Sequence, residues 1–185
     1  MLGGRRKLPV LAEISGPDSD PTRVFSLRRD DLERLSDLRE DLTRRTCLLV
    51  TGGEDVARTV AVAVAGVSCA AGRRVVLVDC DLAKPRLAAD LGLAEAPGVH
   101  EYLRWEATAP ELLQPVALAG AASAGAGAPL AVIAAGREAA DPRILLSLES
   151  FRHMAAKLRN AYDLVVLAGP PLLAGGSLPT LAEEA

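Results

Sequence analysis

Four short runs of apolar residues stand out along this chain of 185 residues. They cover residues 47–50, 75–78, 130–134 and 164–167, and each is apolar throughout rather than alternating with polar positions. Such runs are typical of parallel strands that are covered on both faces, and the stretches between them are long enough for crossover helices. The pattern therefore predicts a doubly wound α/β fold in which a mainly parallel sheet has these four runs as neighbouring strands.

Apolar residues at helical spacing predict helices on either side of these strands. Leucines at positions 32, 35, 38 and 42 predict a helix over residues 23–45, which either docks on the sheet or mediates self-association. Small apolar residues predict a second helix over 60–70. Asp141 and Pro142 suit the cap and the first turn of a third helix over 142–160.

The stretch 115–136 contains no charged residue, which raises the question of a membrane span. It carries two prolines and consists mostly of alanine and glycine, so it is too weakly apolar for a transmembrane helix. We expect a flexible loop over 120–128 that leads into the third apolar run. The N-terminus also lacks the apolar core of a signal peptide.

Two aspartates directly follow the second apolar run. Asp79 and Asp81 flank Cys80 at the predicted carboxyl end of a strand, which is where open α/β sheets bind their ligands. In a phosphate site, this pair would hold Mg²⁺ and its water shell. The pattern is equally consistent with a turn that caps the next helix.

The residues after the first apolar run keep the spacing of a phosphate-binding loop but not its composition. That motif has Gly, four residues, Gly-Lys and then Ser or Thr. Here Gly52, with Gly53 beside it, is followed at the same spacing by Ala57, Arg58 and Thr59. A methyl group at Ala57 narrows the space for phosphate, and the planar guanidinium of Arg58 differs from a compact ammonium. The segment is therefore either a degenerate phosphate loop or an ordinary connection between a strand and a helix.

Composition excludes several classes of function. A net charge of −3 provides no basic field that would attract nucleic acid. The two histidines, His100 and His153, are too isolated to assemble a Ser/His/Asp or Cys/His set. The three cysteines, Cys47, Cys69 and Cys80, lack metal or disulfide spacing, which suits a reducing compartment. We expect all three to be inert packing residues.

Several of these segments, taken in order, resemble one known family. They are similar to the cytoplasmic domain of the bacterial tyrosine autokinases, which belong to the deviant-Walker superfamily of P-loop proteins. The resemblance covers nearly the whole chain, from about residue 8 to residue 185. The segments that carry it are LPVL at 8–11, LREDL at 38–42, VDCDLAKPRL at 78–87, PGVHEYL at 97–103, DPRILLSLESF at 141–151 and YDLVVLAGPP at 162–171.

The resemblance implies a division of the chain and a set of ligands. It implies a juxtamembrane-like segment over 1–21 and a P-loop NTPase-like α/β domain over 22–185, whose sheet is truncated at the C-terminus relative to the family or belongs to a fragment. ATP and Mg²⁺ are the ligands that the family uses. By resemblance, the nucleotide site comprises Gly52, Gly53, Ala57, Arg58 and Thr59, the Mg²⁺ site comprises Thr59, Asp79 and Asp81, and the catalytic base is Asp79.

Two departures from the family pattern predict a loss of activity. Arg58 stands where the Walker A motif has its lysine. Ala168 stands where the Walker B strand ends in aspartate, and a methyl group cannot hold Mg²⁺ or its water. Only the Walker A′ pair, Asp79 and Asp81, is intact. The chain also lacks the tyrosine-rich tail that active members phosphorylate, since it has only two tyrosines.

The leading hypothesis is therefore a degenerate tyrosine-autokinase-like domain that regulates exopolysaccharide or capsule assembly with weak or no ATP turnover. The resemblance implies a cytoplasmic location, peripheral at the inner face of the plasma membrane. It implies a membrane polysaccharide copolymerase or a kinase-family protein as partner, and the apolar stripe of helix 23–45 adds the hypothesis of a homo-oligomer through that helix. Two alternatives stay open: an active ATP-dependent protein-tyrosine kinase in which Arg58 replaces the lysine and Asp79 is the base, and a partition-type deviant-Walker scaffold protein.

Overall fold

A five-stranded sheet forms the centre of the computed structural model, which describes residues 46–116, 129–171 and 178–184. The strand order is β1-β5-β2-β4-β3, in which β1, β5, β2 and β4 are parallel and β3 is antiparallel to β4. The predicted doubly wound, mainly parallel sheet with residues 75–78 at its centre is thus confirmed. The strands are β1 (Cys47–Val50), β2 (Val75–Asp79), β3 (Leu113–Val116), β4 (Leu130–Ile133) and β5 (Leu164–Ala168).

Helices cover both faces of this sheet. The longest described helix, α1, connects β1 to β2, and α6 precedes β5. Among the described residues, none of the helices is both long enough and apolar enough to cross a lipid bilayer. The helices are α1 (Glu54–Ala70), α2 (Leu87–Asp90), α3 (Val99–Leu103), α4 (Ala109–Leu112), α5 (Pro142–Leu146), α6 (Glu149–Ala161) and α7 (Leu178–Glu184).

The sheet separates two apolar cores, because successive residues of a strand point to opposite faces. Val75 and Leu77 of β2 belong to the core on the α1 side, where alanines and valines of α1 are buried. Val76 and Val78 belong to the other core, together with Phe151 of α6. Each fully buried Val, Leu or Phe contributes on the order of 1.5–3 kcal/mol. The small side chains of α1 let this helix lie close to the sheet, next to the carboxyl edge that carries the candidate site.

The strand boundaries depart only slightly from the predicted ones. Strands β2 and β5 extend one residue further than predicted, to Asp79 and Ala168, and β4 ends at Ile133 rather than at residue 134. Strand β3 was not predicted, because Pro115 lacks a backbone donor and is unusual within a strand. An edge position tolerates this proline, and β3 lies at the edge of the sheet.

The predicted single helix over 142–160 is wrong, because the chain turns between α5 and α6. The amide of Ser147 donates to the carbonyl of Arg143 at 3.0 Å, and its hydroxyl donates to the carbonyl of Ile144 at 2.8 Å, which closes α5. Leu148 then takes an extended conformation, with φ −66° and ψ 146°, and forms the N-cap of α6. Two shorter helices therefore replace one.

The remaining predictions of local structure have mixed outcomes. The cap at Asp141 is confirmed, because its carboxylate accepts hydrogen bonds from the amides of Arg143 and Ile144. All three cysteines are buried, and none of them forms a disulfide, as expected. The helix predicted over 23–45, the loop over 120–128 and the domain boundary at residue 21 lie outside the described residues.

The single tryptophan lies on the surface just after α3. Trp105 has a φ of 63° and is 82% exposed. It occupies the position after a helix end at which a left-handed backbone, and hence glycine, is common. Its neighbours Arg104 and Glu106 form an ion pair, in which Arg104 donates to Glu106 at 2.7 Å. Arg137 also donates to Glu106. The indole therefore projects into solvent from a segment that ion pairs hold in place.

Candidate functional site

The carboxyl ends of β1, β5 and β2 lie side by side. In the sheet register, Ala168 of β5 pairs with Val50 of β1 on one side and with Asp79 of β2 on the other. The amide of Cys80 donates to the carbonyl of Ala168 at 2.8 Å, and that of Gly169 donates to the carbonyl of Val50 at 2.8 Å. Open α/β sheets bind ligands at this edge. The residues predicted at the ends of the three strands are therefore brought together.

Asp79 is buried and bonded to the main chain on both carboxylate oxygens. It is 1% exposed; Oδ1 accepts from the amide of Asp81 at 3.1 Å, and Oδ2 accepts from the amide of Leu87 at 3.3 Å. Burial raises the pKa of Asp79 to about 7, which the two amides and the charge of Arg58 partly oppose. Because Leu87 is the first residue of α2, Asp79 caps this helix from the end of β2. This is the capping role that the sequence left open.

Asp81 is also largely buried, at 7% exposure. Its Oδ1 accepts a hydrogen bond from the amide of Lys84 at 3.2 Å. Burial raises the pKa of Asp81, whereas the amides of Lys84 and Ala83 and the charge of Arg58 lower it. Since Arg58 acts on both aspartates, both lie within electrostatic reach of α1. That they share a metal ion or a water stays a prediction.

The connection between β1 and α1 is shorter than the sequence predicted. The helix begins at Glu54 rather than at residue 60, so only Thr51, Gly52 and Gly53 join it to β1. The amide of Ala57 donates to the carbonyl of Gly53 at 3.1 Å, which is the first bond of the helix. In a phosphate loop, the residues between the two glycines wrap around the ligand with their amides. Here the corresponding residues belong to the first turn of α1.

The side chains of Ala57 and Thr59 are directed into the protein. Ala57 is 3% exposed, and a methyl group placed on Gly52 would lie 4.0 Å from its Cβ atom. Thr59 is 3% exposed, and its hydroxyl donates to the carbonyl of Asp55 at 2.9 Å, one turn earlier in the helix. The two positions therefore pack and bond within the protein rather than facing an open cradle.

Arg58 joins two acidic residues. Its Nη2 lies 2.7 Å from Oδ1 of Asp55 on the same helix, and its Nε lies 3.0 Å from Oδ2 of Asp90 at the end of α2. Burial lowers the pKa of Arg58, but the hydrogen bonds and charges of Asp90 and Asp55 outweigh it and hold this pKa above its ordinary value. The guanidinium is thus engaged at both its Nε and Nη2 atoms.

Mg²⁺·ATP does not fit the residues at this edge of the sheet. The amide of Ala57, one of those that would hold phosphate, is bonded within α1, and the guanidinium that would replace the lysine binds Asp55 and Asp90. Ala168 places a methyl group, 1% exposed, where a metal-ordering carboxylate is needed. Among the described residues, there is also no group of three His, Cys, Asp or Glu side chains that could hold a metal ion.

An open crevice of about 710 Å³ lies further along the same edge, between the loops that follow β2 and β4. Its charged lining comprises Lys84, Arg86, Glu95, Arg137 and Glu138. Basic and acidic side chains are thus mixed, so the crevice has no strong preference for one sign of charge. One of its lining residues, Lys84, binds Asp81 through its amide.

Sequence reasoning missed two acidic residues of this edge, Asp90 and Glu101. Asp90 is 32 residues away from Arg58, and no local pattern relates the two. Glu101 accepts from the amide of Gly98 at 2.8 Å and from Nε of Arg137 at 2.8 Å, and thereby joins α3 to the loop after β4. Burial raises the pKa of Glu101, but these donors outweigh it and lower this pKa overall. A glutamate three residues after a helix cap was the available signal for Glu101.

Comparisons with known proteins find similarity to a bacterial tyrosine kinase. No family model matches the chain. A curated relative, the tyrosine-protein kinase ptk of Acinetobacter johnsonii, is 24% identical over 176 residues, which cover 94% of this chain and 22% of the relative. The chain therefore spans about a fifth of the length of this relative.

Solved structures with the same fold include two bacterial kinase domains. The VpsO kinase domain is 27% identical with a TM-score of 0.69, and the match covers 83% of this chain and 72% of that domain. The kinase domain of the Escherichia coli tyrosine kinase ETK has a TM-score of 0.76 over 96% of this chain and 75% of that one. Its identity is 22%, so this likeness concerns the fold.

The fold also includes a protein solved with a nucleotide and magnesium. The cobyrinic acid a,c-diamide synthase of Mycobacterium smegmatis, solved with ADP and magnesium, is 26% identical with a TM-score of 0.52; the match covers 72% of this chain and 53% of the synthase. The kinase domains match over more of both chains and with higher TM-scores. The resemblance to the bacterial tyrosine autokinases is confirmed, and the chain carries the P-loop NTPase-like fold of their kinase domains.

Proposed function

We propose that this chain is a degenerate tyrosine-kinase-like domain that regulates exopolysaccharide or capsule assembly by protein contact, with little or no phosphotransfer. Its similarity to bacterial tyrosine kinases supports the family, and the composition of the strand ends supports the loss of catalysis. The activity of the curated relative belongs to a much longer protein, of which this chain matches 22%.

The observation that carries this proposal is the start of α1 at Glu54. Phosphoryl transfer depends on amides, a cation and Mg²⁺ that are positioned around the phosphates before the reaction begins. Here the amide of Ala57 is bonded to Gly53 within the helix, so a triphosphate would have to unwind the first turn to be wrapped. Unwinding breaks backbone hydrogen bonds that each contribute about 1 kcal/mol.

Two substitutions add to this cost. Arg58 binds Asp55 and Asp90 instead of a phosphate, and Ala168 provides no ligand for the metal or its water. Each such loss commonly removes a few kcal/mol of transition-state stabilisation. Together they correspond to several orders of magnitude in rate.

The partners and the location of the domain follow from the family alone. We propose that the domain binds a membrane polysaccharide copolymerase or a kinase-family protein, and that it lies at the inner face of the plasma membrane. We also propose that residues 1–21 form a juxtamembrane-like segment before the α/β domain, and that the domain self-associates through residues 23–45. ATP and Mg²⁺ are the ligands of the family, and we propose that this domain binds them weakly or not at all.

Titration calorimetry with ATP·Mg²⁺ and with ADP·Mg²⁺ tests the proposal directly. We expect no binding at submillimolar nucleotide, ATP hydrolysis at background, and no phosphate on Tyr102 or Tyr162 after incubation with ATP. The VpsO kinase domain, measured in parallel, serves as the matched positive control because it has the same fold.

One result would overturn the proposal in favour of an active kinase. The unaltered chain would hydrolyse ATP robustly, and Asp79→Ala would abolish that hydrolysis. Asp79 would then be a working base. The double change Arg58→Lys with Ala168→Asp provides a second readout. If the site is inherited from a nucleotide-binding ancestor, this variant should bind ADP·Mg²⁺ more tightly than the unaltered chain.

A further inference from the structure

A single guanidinium joins the first turns of α1 to the end of α2. Arg58 reaches Asp90 at 3.0 Å and Asp55 at 2.7 Å, and its side chain is 12% exposed. Asp90 is 24% exposed, whereas Asp55 is 81% exposed. Because ion pairs with little exposure are less screened by water and salt, the pair with Asp90 is the stronger structural link.

The segment 79–90 is held at its other end by Asp79. The Asp79 carboxylate accepts from the amides of Asp81 and Leu87, which fixes the chain where it leaves β2 and where it enters α2. Asp81 accepts from the amide of Lys84 within the same segment. The segment 79–90 is thus fastened to β2 by Asp79 and to α1 by Arg58.

Arg58 also provides positive charge to this region, where the charge of Lys84 acts on Asp81 as well. It binds Asp55 and Asp90 directly, and its charge favours the ionised forms of Asp79 and Asp81 against the effect of burial. Arg58 is therefore the cation that acts on all four of these aspartates. In a phosphate-binding site, a lysine and Mg²⁺ provide positive charge at the corresponding edge of the sheet.

We infer that Arg58 is an internal counter-ion that takes the place of a bound cation and holds the segment 79–90 in one conformation without nucleotide. The inference rests on the proposed function, because it assigns a structural role to the residue at the lysine position. In proteins of this fold class, bound phosphate and Mg²⁺ commonly order neighbouring segments. Here an ion pair from α1 performs this ordering permanently, so the surface formed by α2 and its loop is independent of ligand.

Hydrogen exchange, followed by mass spectrometry on the full chain, tests this role. We expect Arg58→Met to increase the exchange rate of amides in residues 81–91 by about tenfold, because the far end of the segment is released. Asp90→Asn should give a similar local increase, and the double variant should add little, since both changes remove one interaction. Asp90 is partly exposed, so Asp90→Asn keeps the test available if Arg58→Met does not fold.

The matched control is Arg104→Met. Arg104 also donates through Nε to a nearby carboxylate, Glu106 at 2.7 Å, but the pair is exposed and lies beside α3. This variant should leave exchange in residues 81–91 within about twofold of the unaltered chain. Unchanged exchange in residues 81–91 for both Arg58→Met and Asp90→Asn would overturn the inference.

Addition of ADP·Mg²⁺ separates this inference from the proposed function. We expect no change in exchange for the unaltered chain, because Arg58 already supplies the charge. Slower exchange on adding ADP·Mg²⁺, together with tight binding by calorimetry, would contradict the proposed function. Faster exchange of residues 81–91 in Arg58→Met and Asp90→Asn would still support Arg58 as the counter-ion. Failure of the proposed function can therefore be distinguished from failure of this inference.

Discussion

The ends of β1 and β2 lie on one edge of the sheet, with β5 between them. They differ in the hydrogen bonds that fix the chain after each strand. At the end of β2, the carboxylate of Asp79 caps α2, and that of Asp81 binds the amide of Lys84. At the end of β1, the amide of Ala57 is bonded within α1. A buried carboxylate that caps a helix has a structural task without any ligand. The amides of an open phosphate loop have no such task without a ligand, and here a helical hydrogen bond satisfies the amide of Ala57 instead.

The largest expected effect comes from a carboxylate placed on the strand between these two ends. Ala168 is 1% exposed and pairs with Asp79 in the sheet, so Ala168→Asp adds another buried acid directly beside Asp79. We expect the free energy of unfolding to fall by about 4–5 kcal/mol at neutral pH, the upper range for single substitutions. Urea denaturation measures this change.

Ala168→Asn is the uncharged control for that substitution. It has nearly the same shape, and we expect it to cost about half as much because it buries a polar group without a charge. If millimolar ADP with Mg²⁺ restored the stability that Ala168→Asp loses, the end of β1 would still bind a nucleotide. This result would contradict the difference described between the ends of β1 and β2.

A smaller change is expected in the pH dependence of stability when the carboxyl group of Asp79, at the end of β2, is removed. The pKa of Asp79 is about 7 in the folded chain against an ordinary 3.8, so folding favours its protonated form. The folded state then binds more protons than the unfolded state, and stability falls as pH rises from about 4 to about 7. The fall due to Asp79 is at most about 4 kcal/mol, at about 1.4 kcal/mol for each pKa unit.

Asp79→Asn cannot titrate, so its stability should vary less with pH over this window. Urea denaturation of both proteins at several pH values compares the two slopes. A stability of the unaltered chain that rises with pH, and a variant without that rise, would mean that Asp79 is ionised in the folded state. The end of β2 would then resemble a ready cation site more than a helix cap.

The smallest expected effect concerns the start of α1. Gly53 is the N-cap, with φ −68° and ψ 156° and no side chain to bind the first amides. Gly53→Ser should therefore stabilise the protein by a few tenths of a kcal/mol, as measured by thermal unfolding. Gly52→Ser, one residue earlier, is the control and should give no such gain. A gain at Gly52 instead of Gly53 would place the start of the helix elsewhere.

The sheet could be predicted from the sequence because its strands are apolar on both faces. The runs at 75–78 and 164–167 suit buried positions in a parallel sheet, and right-handed crossovers place helices on both of its faces. The start of α1 could not be predicted, because the phosphate-loop spacing at Gly52 and Thr59 suggested a loop over residues that also suit a helix. The break between α5 and α6 had no local signal, since Ser147 and Leu148 are both acceptable within helices.

The aspartate pair could be placed from its position alone, but its bonding could not. That Asp79 and Asp81 follow a central strand is visible in the sequence, and the structure puts both at the carboxyl edge. Their partners are main-chain amides, which carry no sequence signature. The pairing of Arg58 with Asp90 depends on how α2 folds back against α1, and only the tertiary structure specifies that contact.

The location of Trp105 determines how this protein is best followed in solution. It is the single tryptophan of the chain, and it is already 82% exposed when the protein is folded. Its emission should therefore change little on global unfolding, which circular dichroism will report instead. A shift of the emission to shorter wavelength would signal that another molecule has covered the end of α3. Intrinsic fluorescence is thus a built-in detector of contact at this surface, and no label is needed.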